Sequence, residues 1–284
     1  MPDQPRIVDF HTHVFPAAVA AKVIENLEGT GGTRARTDAT PEGLRRSMAR
    51  FGVDLSVVLP VATNVRQVEK LNDISIAANS GGLQPGLLYF GAMHPEYPDP
   101  EAELRRIQKA GLKGIKIHPA YQHVRIDDPR YVKIMEICAG LGLIVVTHAG
   151  WDIGVPGEWC SPDMTAKLLE TIHCPKLVLA HLGGVKEWAR SYEVLAGSGV
   201  WMDTAMSLGN TDPIDREKFP DTGLIETGLF EKFVTRHGAE HILFATDSPW
   251  NSQGAALEQL AEARLSAAEK EMILGGNACR LLGL

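Results

Sequence analysis

Ile7-Val8-Asp9-Phe10-His11-Thr12-His13 is the chain's first apolar run, and it ends on two histidines. Side chains alternate along a strand, so His11 and His13 project from one face, one pleat apart. Two imidazoles so placed can reach a single divalent cation. An H-x-H pair alone is a weak signal, because it arises by chance. It gains weight from seven further apolar runs, several ending in His or Asp and followed by a loop and a helical pattern.

The eight runs cover residues 7–10, 55–59, 87–92, 114–117, 143–147, 177–180, 200–203 and 242–245. They are rich in Val, Ile and Leu and nearly continuous, as strands buried on both faces are. Amphipathic patterns at 17–27, 42–51, 65–78 and 101–110 predict the earliest helices. Asp99-Pro100 and Asp128-Pro129 each offer an N-cap with proline at the first helical position. Ser266-Ala267-Ala268-Glu269 reads as a capping box. Strand and helix alternating eight times predict an α/β fold, either a closed (β/α)8 TIM barrel or a doubly wound sheet. The count favours the barrel, and no G-x-G-x-x-G follows any strand.

The placement of polar residues agrees. His11, His13, His94, His118, His148, His181 and Asp247 fall at the carboxyl ends of predicted strands, where barrel active sites are built. No linker, low-complexity run or fixed-period repeat interrupts the chain, so one domain over 1–284 is expected. Residues 209–223 are polar, contain Pro213 and Pro220, and read as a long loop able to cover the site.

The chain's 284 residues are 44% hydrophobic and 22% charged, ordinary for a soluble globular protein. A net charge of −7 argues against nucleic acid or an anionic membrane as partner. Cys138, Cys160, Cys174 and Cys279 form no C-x-x-C, so a cysteine zinc site is not expected. So few cysteines in so long a chain also point away from a disulfide framework and towards a reducing, cytoplasmic setting. Met1-Pro2-Asp3-Gln4-Pro5 is too polar for a signal peptide, and no apolar run has the length of a membrane span. The expected partner is a small molecule; a homo-oligomer remains compatible with the sequence.

Val145-Val146-Thr147-His148-Ala149-Gly150, Leu179-Ala180-His181-Leu182-Gly183-Gly184 and Phe244-Ala245-Thr246-Asp247-Ser248-Pro249-Trp250 end three of the later strands. With Asp9-Phe10-His11-Thr12-His13, their order and spacing resemble the amidohydrolase superfamily. In detail they resemble its amidohydrolase 2 branch, which includes the aminocarboxymuconate semialdehyde decarboxylase-like enzymes. The resemblance extends to the C-terminal Gly275-Gly276-Asn277-Ala278-Cys279-Arg280-Leu281-Leu282. It implies one divalent metal held by His11, His13, His148 and Asp247. The donor chemistry agrees: three neutral imidazoles and a carboxylate suit Zn2+ with one position open for water, Mn2+ being the other option. A metal of this kind lowers the pKa of its water to ~7. Asp247 would touch the metal and accept the water's proton. His181 would stand by the open position as acid/base or as donor to a developing oxyanion.

Lys113-Gly114-Ile115-Lys116-Ile117-His118-Pro119 puts Lys116 and His118 on one face. In binuclear amidohydrolases a carboxylated lysine bridges two metals, and Lys116, His148 and His181 could supply that second set. With one metal, Lys116 becomes a cationic substrate contact. Arg66 and Arg125 could each clamp a substrate carboxylate, or each could form an ordinary surface ion pair. His94 and His118 precede proline and could simply fix loop geometry. His173, His237 and His241 read as ordinary hydrogen-bonded residues, Asn277 as a helix-end residue. Trp151, Asp152, Glu158 and Trp159 could wall a pocket; Cys160 has no adjacent base and is not expected to be a nucleophile.

The expected function is hydrolysis of a small, carboxylated lactone, ester or amide by metal-activated water. The alternative is a non-oxidative decarboxylase with the same metal shell. There, His181 or Asp247 would protonate the carbon that loses carbon dioxide. A non-catalytic ligand-binding barrel is the third reading, and the complete ligand set argues against it.

Overall fold

The structure is a computed structural model that describes residues 7–80, 86–214 and 224–284. Its strands are β1 (Val8–Thr12), β2 (Leu55–Val58), β3 (Leu87–Tyr89), β4 (Gly91–Ala92), β5 (Gly114–Ile117), β6 (Ile144–Thr147), β7 (Leu177–Leu179), β8 (Trp201–Asp203) and β9 (Ile242–Leu243). Each of the eight apolar runs carries one, and helices follow in the expected places, among them Ala17–Gly31, Pro41–Phe51, Val68–Ser80 and Pro100–Lys109.

The run at 87–92 divides at Phe90. Two asparagines one heptad apart on helix Val68–Ser80 cause the break. Asn79 accepts from Tyr89 N at 3.0 Å and donates to Tyr89 O at 2.8 Å. Asn72 accepts from Ala92 N at 2.7 Å. These side chains take backbone groups that a neighbouring strand would otherwise bond.

Contacts divide the chain into two compact units. The first comprises Met1–Val58, Ala196–Gly199 and Asp203–Leu284. In it β1 runs parallel to β2, with Val8 opposite Leu55 and Asp9 opposite Ser56. Beyond β9 the chain stays bonded to β1: Phe10 N donates to Phe244 O and Asp247 N to His11 O, each at 2.9 Å. Val8, Phe10, Leu55, Val57 and Phe244 fill the core there. Ser266 and Glu269 form the expected capping box. Asn277 donates to Ala239 O and Ile242 O, both at 2.7 Å, the helix-end role expected of it.

The second unit comprises Leu59–Leu195 and Val200–Met202. Here β4, β5, β6, β7 and the start of β8 pair in chain order, all parallel. Asp99 and Asp128 cap their helices by accepting from Ala102 N at 3.0 Å and Arg130 N at 2.9 Å. Register then sets the site: Ile117 lies opposite Thr147, and Thr147 opposite Leu179. The next residues, His118 and His148, therefore emerge side by side.

All four cysteines are free. Among the described residues no helix is long and apolar enough to cross a membrane. Of the long loop at 209–223, residues 215–223 lie outside the described residues. Its start is held by Gly209 N on Gln259 Oε1 at 2.6 Å, Asn210 N on Asn251 Oδ1 at 2.8 Å and an antiparallel bridge from Thr33 to Pro213.

Candidate metal centre

In the first unit, His11, His13 and Asp247 bring ligand atoms within 4.8 Å of one another. His13 Nε2 lies 3.0 Å and His11 Nε2 3.6 Å from Asp247 Oδ1. His11 Nδ1 lies 2.8 Å from Asp203 Oδ2, and both residues are buried. An ionised carboxylate only accepts, so Asp203 draws the His11 proton to Nδ1 and leaves the Nε2 lone pair facing Asp247. This donor set fits a divalent cation bound by two imidazoles and a carboxylate.

Asp247 holds a left-handed backbone, φ 68°. For a non-glycine residue this costs free energy and persists only where neighbours enforce it. The enforcing group is Asp9, fully buried two residues before His11. Its Oδ1 accepts from Thr246 N at 3.0 Å, and its Oδ2 from Thr246 Oγ1 at 2.6 Å and Gln253 Nε2 at 2.9 Å. Thr246 Oγ1 accepts in turn from Ser248 N at 3.0 Å. Both neighbours of Asp247 are thus tied to the first strand. Burial pushes the Asp9 carboxyl up to about 6, against the pull of these hydrogen bonds.

In the second unit, His148 Nδ1 and His181 Nε2 are 3.1 Å apart. His181 also has a left-handed backbone, φ 60°, as has Leu182, φ 52°. Trp188 Nε1 donates to His181 O at 3.0 Å and Ser191 Oγ to Leu182 O at 2.6 Å, which pins the turn. Gly150 is required beside it. At φ 94°, a Cβ there would lie 2.4 Å from Val185 N and 2.5 Å from Val185 O. That closeness lets Val185 N donate to Ala149 O and Trp151 N to Val185 O, each at 3.1 Å, joining the loops that follow β6 and β7.

The other predicted residues have separate places. Lys116 is fully buried on β5, and its charge reaches the Cys160 thiol. Burial pushes that thiol well above its ordinary pKa, and Cys160 Sγ donates to Gly150 O at 3.3 Å, so it is poorly suited to be a nucleophile. Arg125 is exposed and bonds Asp127 bidentately at 3.0 and 2.9 Å, which makes it the surface ion pair rather than a clamp. Arg66 is exposed in a surface cleft with Glu69, Tyr97 and Asp99. His94 Nδ1 accepts from Glu96 N at 3.2 Å and His118 Nδ1 from Tyr121 N at 3.3 Å, so both order the loops they begin. His237 Nδ1 accepts from Gly197 N at 3.2 Å.

Asp203 and Asp9, to which the sequence reading assigned no role, are buried against His11 and Thr246 respectively. Asp203 closes a predicted strand as His148 nearly does its own, without a motif around it, and Asp9 opens the Asp9-Phe10-His11-Thr12-His13 motif on the face of His11 and His13.

Several solved structures match nearly the whole chain, two decarboxylases among them. One is 5-carboxyvanillate decarboxylase from Sphingomonas paucimobilis, with a TM-score of 0.71 and 17% identity, covering 99% of this chain and 100% of that one. The other is a dihydroxybenzoic acid decarboxylase from Polaromonas sp. JS666 with bound manganese, with a TM-score of 0.67 and 15% identity, covering 99% and 98%. At this identity the likeness shows the fold, a (β/α)8 TIM barrel. The chain belongs to the amidohydrolase family, which matches residues 8–284. Among curated proteins it is 29% identical over 206 residues to 2-amino-3-carboxymuconate-6-semialdehyde decarboxylase of Dictyostelium discoideum. That match covers 64% of this chain and 56% of the relative, so the chain spans little more than half the relative's length.

Proposed function

We propose that this protein is a metal-dependent carboxy-lyase acting on a small carboxylated substrate. One divalent metal would be held by His11, His13, His148 and Asp247. The observation that carries the reading is the convergence of His11 Nε2, His13 Nε2 and Asp247 Oδ1 in a family whose named relatives here are decarboxylases. Hydrolysis, the reading that the sequence put first, uses the same donors but has less support from those names. The manganese of the dihydroxybenzoic acid decarboxylase supports Mn2+ as well as Zn2+.

When bound, the metal supplies Lewis acidity towards a substrate oxygen. The chain's residues supply orientation and a proton. Asp203 fixes the His11 tautomer, and Asp9 holds Asp247 in its strained pose. Asp247 directs Oδ1 at the imidazoles of His11 and His13. His181 exchanges a proton with His148 Nδ1 or with the reacting carbon. In the reaction the bond from carbon to carboxylate breaks, carbon dioxide departs, and the carbon keeps the electron pair and takes that proton. Lys116 remains a candidate cation for the substrate, and its carboxylation in a two-metal site is the competing assignment.

The test is a panel of aromatic and unsaturated carboxylic acids together with lactones, esters and amides, assayed with Zn2+- and Mn2+-loaded protein. The expected result is carbon dioxide release from at least one acid. Product acids from lactones or esters without carbon dioxide would replace this reading with hydrolysis. Full activity after chelation would refute the metal, and about two metals per chain would favour the carboxylated Lys116.

A further inference from the structure

The support behind Asp247 extends outward past Asp9. Gln253 opens helix Gln253–Glu262 and is buried, and its amide is engaged at both ends. Nε2 donates to Asp9 Oδ2 at 2.9 Å and to Ser56 Oγ at 3.3 Å. Oε1 accepts from Ser47 Oγ at 2.7 Å, and Ser47 lies on another helix, Pro41–Phe51. The two ends of the amide are not interchangeable. An ionised carboxylate only accepts, so a flipped amide would set Oε1 against Asp9 Oδ2, oxygen on oxygen. Ser47 secures the far end. Without its hydroxyl, Oε1 loses its partner in the present orientation or turns to face Asp9, and either way the orientation that serves Asp9 is held less firmly.

The seam between the two helices permits this contact through Gly254, the residue after Gln253. A Cβ there would lie 2.7 Å from Phe51 Cδ1 and 2.8 Å from Phe51 Cζ, and closer still to Cε1. Phe51 ends helix Pro41–Phe51, so only a residue without a side chain lets the helices approach far enough for Ser47 to reach Gln253. On the inner side the proton order is fixed as well. Thr246 Oγ1 accepts from Ser248 N at 3.0 Å, so its own proton points to Asp9 Oδ2 at 2.6 Å. Asp9 Oδ2 thus stands between two donors, the Thr246 hydroxyl and the Gln253 amide. Thr246 and Ser248 flank Asp247, whose left-handed backbone, φ 68°, is enforced through them. Removing the Gln253 donor leaves a buried carboxylate short of a partner, a cost relieved by shifting Asp9 or the Thr246 side chain that it holds.

We infer that Gln253 and Ser47 are positioning residues for Asp247, so that the seam between helices Pro41–Phe51 and Gln253–Glu262 sets the cation affinity of the first unit. The inference rests on the reading that His11, His13 and Asp247 hold a divalent metal. It is tested by chelator competition for Zn2+ and Mn2+, with thermal melts of the metal-free proteins alongside. Gln253→Leu should weaken cation binding about tenfold, the lower end of the cost of losing a group behind a ligand. Ser47→Ala should weaken it about fivefold, as the loss of one neutral hydrogen bond allows. Ser47→Thr keeps the hydroxyl and should bind the cation as wild type does. Helices that merely pack would give the opposite pattern, lower melting temperatures with unchanged cation affinity. That pattern overturns the inference, and so does Ser47→Thr binding as weakly as Ser47→Ala. If Gln253→Leu does not fold, the two Ser47 variants decide the matter. A wild type that binds neither cation sinks the metal reading and the inference with it. A wild type that binds tightly beside variants that bind equally well sinks the inference alone.

Discussion

His11 and His148 are both predicted to offer a nitrogen to the metal, yet the two units orient them by opposite means. His11 Nδ1 faces the Asp203 carboxylate at 2.8 Å, whereas His148 Nδ1 faces the His181 imidazole at 3.1 Å. An ionised carboxylate can only accept, so in the proposed site Asp203 would preset His11 as a ligand before any cation arrives. An imidazole can give or take, so His181 leaves the tautomer of His148 open until something binds. In the proposed reading the first half is a preformed clamp. The second can pass a proton, which suits His181 for acid/base work.

The largest effect should come from removing a ligand on either side. His11→Ala and His148→Ala should each abolish turnover and leave bound metal near background by elemental analysis. If His148→Ala kept full metal and the clamp alone held the ion, the assignment of His148 would fail.

The orienting residues should separate the halves more sharply. Asp203→Asn should weaken metal affinity by about 10–100-fold, the usual cost of losing the group behind a ligating histidine. His181→Asn leaves a carbonyl able to accept from His148, so metal content should stay near wild type while turnover falls ~10²–10⁴. Chelator competition and turnover measured on both variants check the contrast. Equal losses of metal from both would erase the distinction between clamp and relay.

Much of this arrangement is legible in sequence. Strands buried on both faces announce themselves as Val, Ile and Leu runs, so all eight are found, and the histidines at their ends mark the mouth of the barrel. The break at Phe90 is not legible, because it depends on which strand atoms Asn72 and Asn79 reach. Nor is Asp203, which becomes a positioning residue only when His11 is folded against it. Side-chain hydrogen bonds are least legible: that His118 Nδ1 accepts from Tyr121 N shows only once the loop is folded. For Arg125, charge near a predicted mouth could not say that Asp127 already pairs with it.

Backbone strain gives a smaller test. Gly150→Ala in the second unit should destabilise by at least about 1–3 kcal/mol from its left-handed φ alone, before the Cβ meets Val185. Thermal melts of the variant should show it. Because Val185 leads back to His181, turnover of the folded fraction should drop as well, while metal bound by the clamp is retained.

The smallest effect separates Asp9 from the exposed carboxylates. Its folded pKa, raised to about 6 by burial, exceeds its unfolded value near 3.8, so between those values the folded chain holds the extra proton. Stability from this group is therefore greatest below about pH 4 and is lost as pH rises through 6. The paired surface acids, such as Asp127 and Asp163, are lowered by Arg125 and Arg190 and act with the opposite sign, losing stability as pH falls below the ordinary carboxylate range. Asp9→Asn removes only the first contribution. Metal-free wild type should lose stability relative to Asp9→Asn on going from pH 4 to pH 6, by denaturant titration at each pH. Asp9→Asn also breaks a hydrogen bond to Thr246 or Gln253, but that loss is nearly constant with pH, so the slope isolates the carboxyl. A flat difference across the window would mean that the donors around Asp9 from Thr246 and Gln253 outweigh its burial, and that the first unit carries a stable anion behind His11.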